Sequence, residues 1–320
     1  MTGKISVSNI FAILLLSFST LSCTTGRNPE KPPRGYPNEA ILKIAYATKI
    51  LKLIETEPAV PEELQVYEGL EYKNVDSISL QLDIYKQKSQ MEKAPVLIFI
   101  HGGSWSKGKR SDYLPYLIDY AMKGYITATI TYRLVNVAKY PAAVEDVKCA
   151  ISWIKNHAEE YGIDSNRIAL IGGSAGGHLA LMAGYDSNRD VNGCKSKSDG
   201  KVNAIVNFYG PVDLTTSYAR ERPEVTNFLG KTWEEAPELF IVSSPKTYIS
   251  SDDPPTLTFH GTLDSLVPVS QADSLNSWLQ QAGVVSEYHR LKGWPHTMDL
   301  SKKVNEYCQF HIDKFLKEYL

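Results

Sequence analysis

The segment LIGGSAGGHLAL (residues 170–181) places four glycines and one serine between two apolar runs. A dinucleotide-binding loop requires G-x-G-x-x-G, which no register of these glycines supplies, and a Walker A loop requires lysine where His178 stands. Residues 172–176 fit G-x-S-x-G instead. This pattern is typical of a serine on a sharp turn between a strand and a helix, with its hydroxyl above the sheet. Ser174 is therefore a candidate nucleophile.

Continuous apolar runs around this turn predict strands that are buried on both faces. The runs cover residues 94–103, 125–134, 166–174, 202–210 and 254–261. Residues 80–87 instead alternate between apolar and polar, as an antiparallel strand does. Helical spacing of apolar residues occurs at 39–55, 142–161, 275–282 and 304–320. This alternation predicts an α/β fold with a mostly parallel central sheet and helices on both faces. The long segment 214–253 predicts an excursion over the C-terminal edge of the sheet.

A serine hydroxyl is inert near neutral pH unless a base removes its proton, and the base needs a carboxylate to fix its tautomer. His296 is the candidate base because it lies in a loop with glycine and proline, after the strand-like run SEYHRL. The other histidines are less suited. His289 lies inside that run, His157 and His311 lie on predicted helices, and His178 would point into packing.

Asp264 is the candidate acid because it follows the C-terminal end of a predicted strand. The resulting chain order of serine, aspartate and histidine is that of the α/β-hydrolases. Three more aspartates are weaker candidates. Asp252 and Asp253 precede the same strand and so lie at the opposite edge of the sheet, and Asp299 is so near His296 in sequence that an unusual turn would be needed.

The segment HGGSW (residues 101–105) follows another buried strand. Its glycines allow the backbone to approach a substrate, and its N–H groups, together with that of Ala175, would form an oxyanion hole. The candidate donors are Gly102, Gly103, Ser104 and Ala175. Trp105 is a candidate wall of the substrate pocket.

Several further blocks occur in the same order as in a known family. They are HGGSW, YRLVNVAKYPAAVEDVKCAISWIKNHAEEYGIDSNRIALIGGSAGGHLAL, FYGPVDL, FLGKTWEEAPELFIVSSPKTYISSDDPPTLTFHGTLDSLVPV and GWPHTMD. Residues 66–315 thereby resemble the α/β-hydrolase esterases related to hormone-sensitive lipase, and more closely the bacterial branch with feruloyl and acetylxylan esterases. The resemblance implies Ser174, Asp264 and His296 as the triad. Two departures are Ser104, in place of the third glycine of HGGG, and Pro295, in place of the usual glycine before the histidine.

The N-terminus predicts export. Lys4 precedes the short apolar run of residues 10–18, and small residues then lead to Cys23, as in a secretory signal peptide covering residues 1–23. A cysteine after such a run resembles the lipidation site of bacterial lipoproteins, although Thr20 stands where leucine is usual. We expect a periplasmic or cell-envelope lipoprotein, or otherwise a secreted protein. A lipid anchor would be its contact with a membrane.

Residues 24–40 are rich in proline, glycine and polar residues and predict a flexible tether. A single α/β-hydrolase domain is then expected over residues 41–320. In an oxidising compartment one disulfide is expected among the three remaining cysteines, and the sequence does not choose the pair. These cysteines are Cys149, Cys194 and Cys308.

The composition excludes some classes of partner. A formal net charge of −2 shows no basic bias, so nucleic acid is not expected to bind. The patterns predict a serine carboxylic-ester hydrolase that forms an acyl-enzyme on short-chain or hydroxycinnamoyl esters and uses no metal or organic cofactor. The resemblance and the export signal suggest esters of plant polysaccharides. A serine peptidase of the same fold and a non-catalytic carbohydrate-binding protein are the competing hypotheses, and the complete triad argues against the second.

Overall fold

The computed structural model describes residues 28–187, 191, 194 and 200–320. In this part of the chain, eight strands form one sheet. They are β1 (Leu64–Val75), β2 (Ile78–Gln87), β3 (Ala94–Ile100), β4 (Ile126–Ile130), β5 (Ile163–Gly173), β6 (Ala204–Phe208), β7 (Thr256–Gly261) and β8 (Ser286–Leu291). Their order is β1-β2-β4-β3-β5-β6-β7-β8. The pairs β1–β2 and β2–β4 are antiparallel and the other five are parallel, so the predicted mostly parallel sheet is confirmed.

Ten α-helices are found in the same residues. They are α1 (Glu39–Ala47), α2 (Leu114–Met122), α3 (Ala142–Asn156), α4 (Ala158–Tyr161), α5 (Ala175–Tyr185), α6 (Ser217–Arg220), α7 (Pro223–Leu229), α8 (Pro237–Val242), α9 (Ser270–Gln281) and α10 (Lys302–Tyr319). Short 3₁₀ turns cover Arg110–Tyr113, Pro245–Tyr248 and Met298–Leu300. Across the described residues, no helix is both long and apolar enough to cross a membrane.

The core lies on both faces of the sheet. On one face, α3, α5 and α9 cover one cluster of buried apolar side chains, and on the other face α2 and α10 cover a second cluster. Burial on both faces explains why the central strands read as unbroken apolar runs. β5 and α5 lie at the middle of this arrangement, so the turn between them opens at the C-terminal edge of the parallel strands.

The sequence patterns missed β1 and α2. In β1, the pairing with β2 shifts register between Tyr67 and Leu70 and again between Glu71 and Lys73. An irregular strand of this kind breaks the two-residue alternation on which strand recognition depends. α2 is short, and its sequence LPYLIDYAM is mostly apolar, which makes a helix hard to distinguish from a strand by periodicity.

The prediction of a helix over residues 39–55 is wrong beyond Ala47. The hydroxyl and the backbone N–H of Thr48 both donate to the carbonyl of Ile44, and Lys49 follows with a positive φ of 57°. A left-handed residue at this position ends a helix.

The flexible tether predicted over residues 24–40 is wrong for residues 33–40, and residues 24–27 lie outside the described part. Pro33 is buried, and its carbonyl accepts a 2.9 Å hydrogen bond from the indole of Trp294. The backbone N–H of Tyr36 donates to Gly293 at 2.8 Å, and the ring of Tyr36 packs edge-on against Trp294. The folded domain therefore begins before residue 41.

The cysteine pair left open by the sequence is Cys149–Cys194, with Cys308 free and buried. The excursion at residues 214–253 lies between β6 and β7 and holds α6, α7 and α8.

Candidate active site

Ser174 stands at the junction of β5 and α5 with a strained backbone (φ 56°, ψ −123°). The turn is too crowded for side chains at its two outer glycines. A Cβ on Gly172 would lie 2.3 Å from the carbonyl oxygen of Gly176, and a Cβ on Gly176 would lie 2.0 Å from that of Ile100. The two glycines of G-x-S-x-G are thus required by close packing of the turn on itself and on β3.

Two backbone hydrogen bonds hold Ser174 in place. Its N–H donates to the carbonyl of Phe208 at 2.8 Å, and its carbonyl accepts from the N–H of His178 at 3.0 Å. The side chain is half-buried and lines a cavity of about 50 Å³ together with Ser104, Trp105 and Ala175. Within the described residues, the Oγ of Ser174 makes no hydrogen bond, either with His296 or with another group.

Asp264 and His296 form a direct pair. Nδ1 of His296 donates to Oδ2 of Asp264 at 2.6 Å. The other oxygen of Asp264, Oδ1, accepts from the backbone N–H groups of Leu266 and Val267, both at 2.9 Å. With Nδ1 engaged in this way, Nε2 of His296 is left as the nitrogen that can take a proton from another group.

A second histidine faces the same carboxylate. Nε2 of His260 lies 3.2 Å from Oδ2 of Asp264, and it also bonds the carbonyl of Val267 at 2.8 Å. Burial by itself raises the pKa of Asp264, but the hydrogen bonds and charges of His260 and His296 outweigh it and lower the pKa to about 2. Asp264 is therefore ionised at neutral pH. His260 was not predicted as a site residue, although it lies four residues before Asp264.

The imidazole of His296 rests on the ring of Tyr209, a residue of the FYGPVDL block for which the sequence predicted no role. The ring centroids of Tyr209 and His296 are 4.4 Å apart. Tyr209 directly follows Phe208, the residue that binds the backbone of Ser174, so this contact brings the histidine loop to the serine turn.

Asp299, a weaker candidate for the acid, is not bonded to His296. It is buried and accepts a hydrogen bond from the hydroxyl of Tyr209. Burial raises the pKa of Asp299 although this bond opposes the shift. Asp252 and Asp253 are also excluded as the acid, because they lie in the turn before β7, at the opposite edge of the sheet.

The HGGSW loop comes close to the serine. A Cβ placed on Gly102 would lie 3.4 Å from the Cβ of Ser174. Gly103, Ser104 and Trp105 follow with positive φ values of 106°, 53° and 55°. Among the described residues, no backbone carbonyl or side chain accepts from the N–H groups of Gly103, Ser104 or Ala175. These groups are free to donate to an oxyanion, as an oxyanion hole requires.

The Tyr132-Arg133 pair supports this loop from behind. The hydroxyl of Tyr132 donates to the carbonyl of His101 at 2.9 Å, and its ring stacks on His101. Nε and Nη2 of Arg133 each donate at 2.8 Å to the two oxygens of Asp146, which is fully buried and also bonds Lys73. A bidentate buried pair of this kind fixes the segment after β4, which carries Tyr132.

The excursion forms one further wall of the cavity, and Pro211, Leu266 and Val267 complete the lining. Tyr218, Arg222, Glu224 and Val225, from α6 and α7 and the turn between them, line it opposite the serine. Trp105 packs against this wall through Phe228, with stacked rings 4.4 Å apart. None of the four excursion side chains could be singled out in the sequence, because residues 215–227 contain no motif and their contacts depend on how the segment folds back over the sheet.

Four other histidines do not line this cavity. His178 is fully buried, bonds the carbonyl of Ser243 at 2.8 Å, and has its pKa lowered to about 4 by burial. His157 bonds Trp153 at the end of α3, while His289 and His311 contact each other across β8 and α10. Cys23, the predicted lipidation site, lies outside the described residues.

Comparison with known proteins places this geometry in a family. The BD-FAE family model matches residues 82–279, which is more than half of the chain. The chain belongs to the BD-FAE family. The resemblance drawn from the sequence motifs is thereby confirmed.

Curated relatives of this BD-FAE protein include two from Mycobacterium tuberculosis. Esterase LipC is 34% identical over 232 residues, covering 68% of this chain and 57% of LipC. The probable carboxylic ester hydrolase LipM is 36% identical over 237 residues, covering 70% of this chain and 54% of LipM. The chain thus spans a little over half the length of the curated relatives it matches.

Solved structures confirm the α/β-hydrolase fold of the BD-FAE protein. A truncated carbohydrate esterase from gut microbiota superimposes with a TM-score of 0.70 at 25% identity, covering 82% of this chain and 99% of that one. Esterase Est2 from Thermogutta terrifontis gives a TM-score of 0.70 at 26% identity, covering 81% and 94%. The neighbours therefore match nearly all of their own length to this domain.

Proposed function

We propose that this BD-FAE protein is a serine carboxylic-ester hydrolase in which Ser174 is the nucleophile, His296 the base and Asp264 the residue that orients it. The Nδ1–Oδ2 hydrogen bond between His296 and Asp264 carries the proposal. It leaves Nε2 free to act as a base and holds a negative charge beside the imidazolium that forms during turnover. The names of the relatives, which are esterases and carboxylic ester hydrolases, support the same reaction.

The mechanism follows from these positions. Nε2 of His296 takes the proton of Ser174 as Oγ attacks the ester carbonyl, and the oxyanion receives hydrogen bonds from the N–H of Ala175 and of the 102–104 loop. His296 then returns the proton to the leaving alcohol, which departs and leaves an acyl-serine. Water, activated by the same histidine, attacks the acyl-serine and releases the acid.

Chemistry on a related esterase agrees with this scheme. Thermogutta terrifontis esterase 2 has been solved phosphorylated by paraoxon and phosphonylated by cyclosarin. Organophosphorus agents of this kind modify activated nucleophiles. We expect the same agents to inactivate this protein at Ser174.

The size of the cavity beside Ser174 favours a small acyl group. Its volume of about 50 Å³ is bounded by the buried side chains of Trp105 and Val225. This is roughly the space of a few water molecules, which favours an acetyl group over a hydroxycinnamoyl group. We therefore propose acetyl esters as the substrates, and acetylated plant polysaccharides as their source. The carbohydrate esterase among the structural neighbours supports the second point.

Export is part of the proposal. The signal-like residues 1–23 support it, with Cys23 as the proposed lipid attachment site and the periplasm or cell envelope as the location. The disulfide Cys149–Cys194 agrees with an oxidising compartment, because such bonds persist mainly in exported proteins.

The test uses the full chain, Ser174→Ala, and the control Ser277→Ala, whose serine is exposed on α9. The panel contains p-nitrophenyl acetate, butyrate and octanoate, methyl ferulate, acetylated xylan and a peptide p-nitroanilide. We expect acetyl esters to be hydrolysed fastest by the wild type and Ser277→Ala. In Ser174→Ala, kcat should fall by about 10⁴-fold or more. If Ser174→Ala hydrolysed the esters as fast as the wild type, the nucleophile would be another residue. If the wild type cleaved only the peptide amide, the protein would be a peptidase.

A further inference from the structure

A second cluster of titratable side chains, distinct from the proposed triad, lies between β8 and α10. Glu287 and His289 are two residues apart on β8, so their side chains extend from the same face of the sheet. His311 reaches them from α10, which packs on that face. Their ligand-type atoms all lie within 4.8 Å of one another.

The three side chains converge on a common point. Nε2 of His289 lies 2.9 Å from Oε1 of Glu287, and Nδ1 of His311 lies 3.5 Å from the same oxygen. Ligands about 2.0–2.2 Å from a tetrahedral ion are separated from one another by distances in this range. Small side-chain movements would therefore place one ion between all three.

The neighbours of His289 hold its imidazole in an orientation that suits a metal ligand. The hydroxyl of Tyr307 lies 2.7 Å from Nδ1 of His289, and Phe259 stacks on the ring with centroids 4.9 Å apart. A histidine that bonds a partner through one nitrogen and points the other at the site is the usual arrangement around protein-bound metals.

One cationic side chain lies near the cluster. Lys314 is the nearby cation that acts against binding, but it is exposed on α10 and therefore screened by water.

We propose that Glu287, His289 and His311 form a binding site for Zn²⁺. Two histidines and one glutamate are a donor set that zinc adopts, with water completing the coordination. The ion would join β8, the edge strand of the sheet, to α10, the last helix. The three ligands come together only when the chain is folded. Zinc binding would therefore stabilise the native state.

Calorimetric titration of the EDTA-treated full chain with ZnCl₂ near pH 7.5 tests the site, together with thermal unfolding with and without ZnCl₂. We expect one zinc bound per chain through this cluster and a higher Tm in its presence. His289→Gln and His311→Gln should each weaken binding by about 100-fold, and Tyr307→Phe by about 10-fold. His157→Gln, a histidine outside the cluster, should bind zinc as the wild type does.

Two results would overturn the proposal: a wild-type Kd above about 100 µM, or an unchanged affinity in His311→Gln. Circular dichroism of each variant shows whether it is folded. Glu287→Gln, whose side chain is 38% exposed, provides a variant that disturbs packing least. These readouts do not depend on ester hydrolysis, so they remain valid whatever the activity of the protein proves to be.

Discussion

Nδ1 of His296 and Oδ2 of Asp264 lie 2.6 Å apart although 32 positions separate the two residues in the chain. β8 and its loop carry the histidine, and the loop after β7 carries the aspartate. Since β7 and β8 are parallel neighbours, both loops leave the sheet at the same edge. The pairing of the candidate base and the candidate acid is therefore a direct consequence of strand order.

We expect Asp264→Asn to reduce kcat on p-nitrophenyl acetate by about 10³–10⁴-fold while the protein stays folded. An amide cannot stabilise the imidazolium and favours the wrong tautomer of His296. Steady-state kinetics together with circular dichroism would measure both effects.

The control for this substitution is Asp299→Asn. Asp299 is buried near His296 but bonds Tyr209, so its loss should change kcat by about 10-fold or less. A larger loss in Asp299→Asn than in Asp264→Asn would assign the acid to Asp299.

Acid stability should depend on Asp264 in a defined pH window. Because the pKa of Asp264 is lowered from 3.8 to about 2 in the folded protein, its ionised form stabilises the native state above pH 4, and this stabilisation is lost as the pH falls toward 2. The difference in unfolding free energy between wild type and Asp264→Asn, about 2 kcal/mol from this group at pH 5, should shrink between pH 4 and 2. Urea denaturation at several pH values measures it.

For Asp299 we expect the opposite dependence of stability on pH, which provides a comparison. Its pKa is raised by burial, so the wild type loses stability relative to Asp299→Asn as the pH rises through the folded pKa. Parallel pH profiles for the two variants would contradict the environments described for these carboxyl groups.

Val225→Ala should widen the acyl preference. Val225 is buried in the wall of the cavity beside Ser174, and its shortening adds room for a longer chain. We expect the ratio of kcat/KM for p-nitrophenyl butyrate over acetate to rise by about 10-fold. Val225→Ile, which makes the cavity smaller, should lower kcat/KM for both esters. An unchanged ratio in both variants would mean that the acyl group binds elsewhere.

The local sequence around Ser174 was sufficient to predict the turn that carries it. G-x-S-x-G required a turn in which a Cβ on Gly172 or Gly176 would collide with backbone, and the structure places those collisions at 2.0–2.3 Å. The unbroken apolar runs likewise predicted the central strands, because burial on both faces removes polar residues from them. The glycine pattern and the apolar runs each extend over a few residues, so they can be recognised without knowing the fold.

Other features of the structure could not be predicted from the sequence. β1 escaped because its register shifts interrupt the alternation, and the N-terminal helix was predicted too long because Thr48 and Lys49 end it by local bonding rather than by glycine or proline. Residues 33–36 have the composition of a linker, yet they bind the Trp294 loop.

The sequence by itself determined the central strands of the sheet, the serine turn and the identity of a candidate base and acid, because these depend on local periodicity, on steric limits at glycine and on chain order. Tertiary structure alone decided that Tyr209 contacts His296, that His260 shares Asp264, that Cys149 pairs with Cys194 and that α6 and α7 line the cavity beside Ser174. These contacts join residues far apart in the chain. They are set by the packing of strands and loops, which no short stretch of sequence encodes.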